Sequence, residues 1–459
     1  MITSIRNWWQ AQDQNRIIVN VLAALIVFSA SSDINNINIG ISLGLAIVYI
    51  VYNCIKKRSL KFFFIPKEYL LGMAVFLGSV LLSSIIINDL GSIHIACSYI
   101  YWTLPFFVIF FLGNLADIRN GAVVGGIISV FVTALFSLIL RYLHQHKAVY
   151  LQIRRSLRRY LRHNKSGLLV AFFSSIVLHM KDVFRLRGRI GAFDSANPNF
   201  YGTLLIGILP LLIFALHSTV VRRNKWFFGL DIVAILLGCV ALWMTGSKGA
   251  VAAMFVSGLY ILLVYTFVNK KMKILMAGLA ISAVFSGLVL SFGVFGRSFQ
   301  EEDVERKCLW QSSYHMWLDH KITGVGLNNW ASVYVKSYIL REASRRDESI
   351  GASHNAVAWF FSATGIIGGT GYIFFLIYYI VLLTRKIKQQ PDQWMLYAGL
   401  WAFIAINLHG MVDMGIILKQ GARLLYMMLG LALTCCYYGG DKRELQFNNC
   451  NSLDIKADK

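Results

Sequence analysis

A histidine, a set of cations, a carboxylate and a cluster of amides are the side chains in this sequence that could do chemistry together. His354 stands in Ser353-His354-Asn355, directly before an apolar run. An imidazole changes charge near neutral pH and can take a proton from a hydroxyl. The plainer reading is an interfacial histidine that only hydrogen-bonds a neighbour. Ser353 or Asn355 could cap the helix that follows. Arg306 lies in Glu305-Arg306-Lys307-Cys308-Leu309-Trp310. Its guanidinium fork can grip two phosphate oxygens at once, or it can simply form a rim salt bridge with Glu301 or Glu302. Lys248 lies in Thr245-Gly246-Ser247-Lys248-Gly249. A cation there, beside two glycines that allow close backbone approach, could meet an anion; ordinary snorkelling of a lysine is the alternative. The pattern GxxxxGK[ST] is not satisfied, which excludes a nucleotide-hydrolysing phosphate loop. Arg187, Arg189 and Asn197-Pro198-Asn199 precede another apolar run, and Asn-Pro-Asn is a turn by its own chemistry. Asp413 follows His409 in Leu408-His409-Gly410-Met411-Val412-Asp413. An ionisable residue at the end of an apolar run is a functional candidate, although a shallow aspartate can merely be hydrated.

The elements that must position these residues are set by composition. Hydrophobic residues make up 57% of the 459 residues and charged ones 14%, against about 25% charged in a soluble domain. Apolar runs fall near 17–31, 37–54, 69–87, 94–113, 121–143, 200–217, 230–246, 250–268, 273–292, 356–383, 394–411 and 423–439. By the rule that about 20 apolar residues cross a bilayer, this is an all-α polytopic membrane protein with about 12 transmembrane helices. Residues 1–440 read as one integral membrane domain and 441–459 as a polar cytoplasmic tail. No cleavable signal peptide is expected, because the first apolar run follows a polar leader without a small-residue cleavage site.

The polar island at 293–355, between spans nine and ten, is where water-soluble chemistry can happen. Short loops carry Lys56-Lys57-Arg58, Arg222-Arg223, Lys270-Lys271 and Arg385-Lys386. All fall on one face if both termini are cytoplasmic, as the positive-inside bias requires. The island, Lys248 and Asp413 then face outward. Residues 144–190, basic between Arg154 and Lys165, fit this scheme poorly and read as an outer surface segment on lipid head groups.

The net charge of +22 suits anionic lipids and diphosphates. No basic, aromatic-interleaved soluble module is present, so nucleic acid is not an expected partner. The seven cysteines show no CxxC or His/Cys ligand spacing, so neither structural zinc nor a disulfide framework is expected. There is no Asp-x-Asp motif and no Gly-rich nucleotide loop. No metal, no cofactor and no nucleotide sugar are therefore expected.

Taken in order, these pieces resemble the O-antigen ligase and O-antigen polymerase superfamily of bacterial envelope enzymes, which transfer lipid-linked glycans. The resemblance rests on Arg187-Gly188-Arg189 with Asn197-Pro198-Asn199, on Thr245-Gly246-Ser247-Lys248-Gly249, and on Arg306 with Trp310. It continues through Gly324-Val-Gly326-Leu-Asn-Asn-Trp330, Ser353-His354-Asn355 with Gly365-Ile-Ile-Gly368, and His409 with Asp413. It covers about 185–415; the N-terminal third agrees only in hydropathy. The family's usual arginine at the third cation is replaced by Lys248, which keeps the charge and loses the fork.

The resemblance implies a GT-C-like fold. It also implies transfer of a glycan from undecaprenyl diphosphate to a lipid A-core hydroxyl, at the periplasmic face of the bacterial inner membrane and without a metal. His354 and Arg306 would be catalytic. Lys248, Arg306, Arg187 and Arg189 would bind diphosphate, with Asp413 and Asn199 in support. A repeat-unit polymerase and a protein O-oligosaccharyltransferase are the near alternatives. A glycan flippase is the alternative from another class, disfavoured because no repeat symmetry or paired mid-span charge is visible.

Overall fold

The computed structural model describes residues 14–32, 36–56, 64–146, 151–152, 155–157, 159, 161, 190–191, 197–218, 221–222, 224–271, 273–274, 300–343 and 351–438. Its helices in chain order are α1 (Gln14–Ser32), α2 (Asn36–Lys56), α3 (Lys67–Ile87), α4 (Leu90–Tyr101), α5 (Leu104–Leu115), α6 (Arg119–Gln145), α7 (Pro198–Ala215), α8 (Lys225–Met244), α9 (Lys248–Val268), α10 (Gln300–Asp319), α11 (Ala356–Gln389), α12 (Trp394–His409) and α13 (Lys419–Tyr438). The described residues contain no strand. Nine stretches among them are long and apolar enough to cross a membrane. α4 and α5 form one of these, broken only at Trp102 and Thr103. Of the other expected spans, α12 is apolar but shorter, and α13 carries Lys419 and Arg423. The run at 273–292 lies almost wholly outside the described residues, as do most of 144–190 and the tail from 439.

Large apolar side chains face outward around the bundle: Val48 is 68% exposed, Leu236 61%, Phe267 65% and Ile377 58%. Water would penalise such a belt, whereas lipid does not. The interior is dense with aromatics. Phe76 stacks against Tyr99, Phe360, Tyr372 and Phe375. The described cations Lys56, Lys225, Arg385, Lys386 and Lys388 all lie at the end of the bundle opposite Lys248 and Asp413. Lys386 meets Glu68 there at 2.8 Å.

α11 corrects the expectation of a single span over 356–383. The rings of Phe360 and Tyr372 are 4.7 Å apart, whereas twelve positions of straight helix would separate them by about 18 Å. The chain doubles back at Gly365, whose φ of 64° and ψ of −160° suit glycine alone. A short arm, 356–364, rises to that turn, and a long arm, 366–389, descends through the bundle.

A reversal inside an apolar helix strands backbone groups, and all must find partners. The loop at 321–326 supplies them. The N–H groups of Val325 and Gly326 donate to the carbonyls of Ser362 (3.0 Å) and Ala363 (2.9 Å), and Ile366 N–H donates to the Lys321 carbonyl at 2.8 Å. The approach is close enough that a Cβ on Gly324 would sit 2.4 Å from the Ala363 carbonyl carbon. Trp330 Nε1 completes the clamp by donating to Ser362 Oγ at 2.8 Å. The motif Gly324-Val-Gly326-Leu-Asn-Asn-Trp330 thus exists to hold the hairpin turn.

Gly365→Ala is expected to break this element. The added Cβ would lie 2.2 Å from the Ile322 carbonyl oxygen, and the backbone strain alone costs about 1–3 kcal/mol. A lower melting temperature and lower folded yield in detergent would show it; an unchanged melt would mean the turn relaxes freely.

Candidate functional site

His354 sits at the foot of the short arm. The Asn355 side chain accepts the Ala358 N–H at 3.0 Å and caps this arm. Ala356 N–H donates to the Gly410 carbonyl at 2.7 Å, which fixes the foot against the end of α12. His354 takes a left-handed φ of 51° where the chain turns into the arm, a conformation uncommon outside glycine.

The turn after α12 brings Asp413 to this point. Asp413 Oδ1 accepts the Met414 N–H at 2.7 Å and lies 3.7 Å from His354 Nδ1. Oδ2 lies 3.4 Å from Arg306 Nη2. The carboxylate is therefore the hub between the imidazole and the guanidinium. Arg306 reaches it from α10, whose Cys308, Leu309 and Met316 are buried and whose Trp317 packs edge-on against Phe361 of the short arm. Tyr314, on the same helix, is 55% exposed. Arg306 is paired with Asp413; the side chains of Glu301 and Glu302, the expected partners of a rim salt bridge, lie outside those described.

Exposure divides the labour. The Asp413 side chain is 5% accessible, against 26% for His354 and 27% for Arg306. The acid is sealed beneath while the two nitrogen groups reach the opening. Burial pushes the Asp413 carboxyl up, but the neighbouring His354, His409 and Arg306 groups together outweigh burial and hold it well below the usual carboxylate range. At 3.7 Å the His354 contact is an ion-pair distance and longer than a good hydrogen bond. His354 Nδ1 is buried and makes no hydrogen bond among the described residues, so the carboxylate acts on it through charge across 3.7 Å.

Lys248 is the first residue of α9, and its neighbour Ser247 caps that helix by accepting the Ala250 N–H at 3.4 Å. Gly246, at φ 62°, makes the turn from α8. Ser247 Oγ is 3.4 Å from His409 Nε2, and His409 Nδ1 is 2.9 Å from Thr203 Oγ1. Thr203 Oγ1 also lies 3.3 Å from the Asn199 carbonyl. Asn199 stands in the first turn of α7, which Asn197 caps and Pro198 opens. The structure thus gathers Lys248, Asn199, Asp413, Arg306 and His354 at one end of the bundle. Arg187 and Arg189 lie outside the described residues. His409 was quoted in the sequence without a role, and Asp413 only as support; the available signal was their spacing of four at the end of one helix.

A family model described as O-antigen ligase matches residues 233–373. The match runs from within α8 to the long arm of α11, so it includes Lys248, Arg306 and His354, whereas His409 and Asp413 follow it. No curated protein matches the chain. This match supports a glycosyltransferase-like function of the ligase or polymerase type in general. The chain is a multi-pass, all-α membrane protein whose residues 233–373 match the O-antigen ligase family model.

Proposed function

We propose that the chain transfers a glycan from undecaprenyl diphosphate to a lipid A-core hydroxyl, at the periplasmic face of the bacterial inner membrane. The observation that carries this reading is the convergence of an accessible imidazole and an accessible guanidinium on one sealed carboxylate.

In the transfer, the anomeric carbon of the donor sugar loses its bond to the diphosphate oxygen and gains one to the acceptor oxygen. The acceptor proton goes to His354 Nε2, and Asp413 stabilises the imidazolium that results. The departing diphosphate takes the bonding electrons. Arg306 and Lys248 face that growing negative charge, which fixed cations stabilise without any reorganisation. Arg187 and Arg189 precede α7 in the chain and belong to the same proposed cation set. Asn199 supports the wall that α7 contributes. No step in this scheme needs a metal or cofactor.

The polyprenyl tail needs an oily channel beside the cations. A groove of about 850 Å³ lies between α7, α8, α9 and α12, lined by residues that include Phe214, Trp243, Val251, Met254, Tyr265 and Trp401. Trp243 and Val251 flank Thr245–Gly249 in the chain, so the groove starts next to Lys248 and runs towards Tyr265 at the opposite end. Holding two large amphiphiles in register contributes more to catalysis than any single side chain.

A deletion strain analysed on a lipopolysaccharide gel tests the reading. Loss of all polymer from the core, with polymer still lipid-linked, is the ligase outcome; a single repeat unit on the core is the polymerase outcome; normal lipopolysaccharide with loss of a protein-linked glycan would move the acceptor to protein. Complementation with Arg306→Ala is expected to restore nothing, and with Arg306→Lys to restore a fraction, since lysine keeps the charge without the bidentate geometry. Wild-type transfer in Arg306→Ala would reduce the Asp413 contact to a structural salt bridge. Accumulation of donor on the cytoplasmic face would favour a flippase.

A further inference from the structure

His409 is a titratable side chain at this end of the bundle that the proposed chemistry leaves unused, and it is buried to 1% exposure. The Thr203 hydroxyl lies within reach of two groups, the Asn199 carbonyl at 3.3 Å and His409 Nδ1 at 2.9 Å. One arrangement that satisfies every group puts the Thr203 proton on the Asn199 carbonyl, which can only accept, and hydrogen on His409 Nδ1, which then donates to Thr203. A neutral ring with hydrogen on Nδ1 has its lone pair on Nε2, and this faces Ser247 Oγ at 3.4 Å. Ser247 already accepts the Ala250 N–H, so its own hydroxyl proton is free to go to His409. In that arrangement the hydrogen bonds run from Ser247 through His409 and Thr203 to Asn199, and in either tautomer they link α9, α12 and α7.

The backbone of His409 faces the other half of the site. Its carbonyl accepts the N–H groups of Val412 at 3.0 Å and Asp413 at 2.9 Å, which makes the turn that presents Asp413. Gly249 keeps the two halves close, because a Cβ there would lie 2.6 Å from Val412 Cγ2 and 3.2 Å from His409 Cδ2. One residue thus meets the helix start that carries Lys248 with its ring and the Asp413 turn with its main chain.

We infer that His409 is a positioning residue that fixes the Lys248 end of α9 relative to the Asp413–Arg306 pair, so that cations from two separate elements meet one anion. This rests on the diphosphate reading above, and its own content is mechanical. A lysine lacks the fork that would let it find phosphate oxygens by itself, so the rigidity of its helix start must supply the geometry.

The test uses the full-length protein in detergent micelles, with two readouts. Hydrogen exchange of the segments 245–252 and 411–414 reports the tether. Binding of inorganic pyrophosphate reports the anion site. His409→Asn keeps a donor for Thr203 and is too short to reach Ser247. Thr203→Val removes the acceptor at nearly constant shape, and Thr203→Ser restores it. His409→Asn and Thr203→Val are expected to speed exchange in those two segments alone and to weaken pyrophosphate binding about tenfold, a typical effect of losing one buried hydrogen-bond partner. Thr203→Ser should match wild type. In a Lys248→Ala background, His409→Asn should add no further loss, because its effect passes through Lys248.

Exchange that rises uniformly over the bundle, or does not change, overturns the assignment, as do additive losses in the double variant. Wild-type protein that fails to bind pyrophosphate overturns the diphosphate reading instead. The exchange map alone then decides whether His409 holds the two segments.

Discussion

His354→Ala is expected to lower glycan transfer by about 10²–10⁴-fold, the usual contribution of a positioned general base, while the protein remains at wild-type level in the membrane. The fold should survive because the groups that hold this corner are elsewhere. Asn355 caps the short arm, and Ala356 N–H bonds the Gly410 carbonyl. The ring itself is 26% accessible, so its removal leaves a shallow notch and no sealed cavity. His354→Gln is the sharper variant, since a glutamine can hydrogen-bond an acceptor hydroxyl without taking its proton. Transfer near wild type in either variant would leave His354 as an interfacial residue and remove the base from the mechanism.

The second large effect is expected at Asp413. Asp413→Asn keeps the shape and the Met414 N–H contact, and removes the charge that faces both His354 and Arg306. The imidazolium formed during transfer loses its counter-ion and the guanidinium loses its anchor, so transfer should fall by about 10²-fold or more. Unlike His354→Ala, this variant should also lose stability, because a group beside a buried ion pair is left unpaired. The pH dependence of that difference follows from the direction of the carboxyl shift. The folded value lies below the usual range, while an unfolded aspartate titrates at about 3.9. The charged acid therefore stabilises the folded state fully above the unfolded value, and this contribution is lost as pH falls towards the folded one. Melting temperatures of wild type and Asp413→Asn should differ fully above about pH 5, and the difference should start to shrink only near about pH 4 and vanish as pH falls through the folded value. Convergence near neutral pH would mean that the carboxylate is not held as described.

Much of this was readable without coordinates, and the reasons are physical. Backbone groups in lipid must bond within their own segment, so apolar runs could only be helices, and α1 to α3, α6 to α9, α12 and α13 fall on expected runs. Local chemistry was equally direct. Asn197 and Asn355 cap α7 and the short arm, because an amide oxygen before an apolar run satisfies orphan N–H groups. The reversal at Gly365 was missed. Its signal was present in excess length: the run 356–383 is longer than the roughly 20 residues a crossing needs, and it contains glycines at 365, 368, 369 and 371.

The site divides in the same way. Residue type made His354, Arg306 and Lys248 candidates, since few side chains can take a proton or grip a phosphate, and the family resemblance gave them their roles. The rank of Asp413 was not legible. A carboxylate becomes a hub only when α10, the foot of α11 and the turn after α12 deliver three side chains to one place, and 107 positions separate Arg306 from Asp413. His409 is the plainest case: in the sequence it is one more histidine at a helix end, and only packing reveals a ring with a hydroxyl at each nitrogen.

The sequence by itself determined that this chain lives in a membrane as helices, and which residue types could act on an anionic, lipid-borne substrate. Those properties follow from side-chain chemistry and from periods of a few residues. The tertiary structure decided which of those residues meet, because contacts between distant segments depend on how the helices close-pack around Gly365 and the ends of α7, α9 and α12, and no local pattern records that.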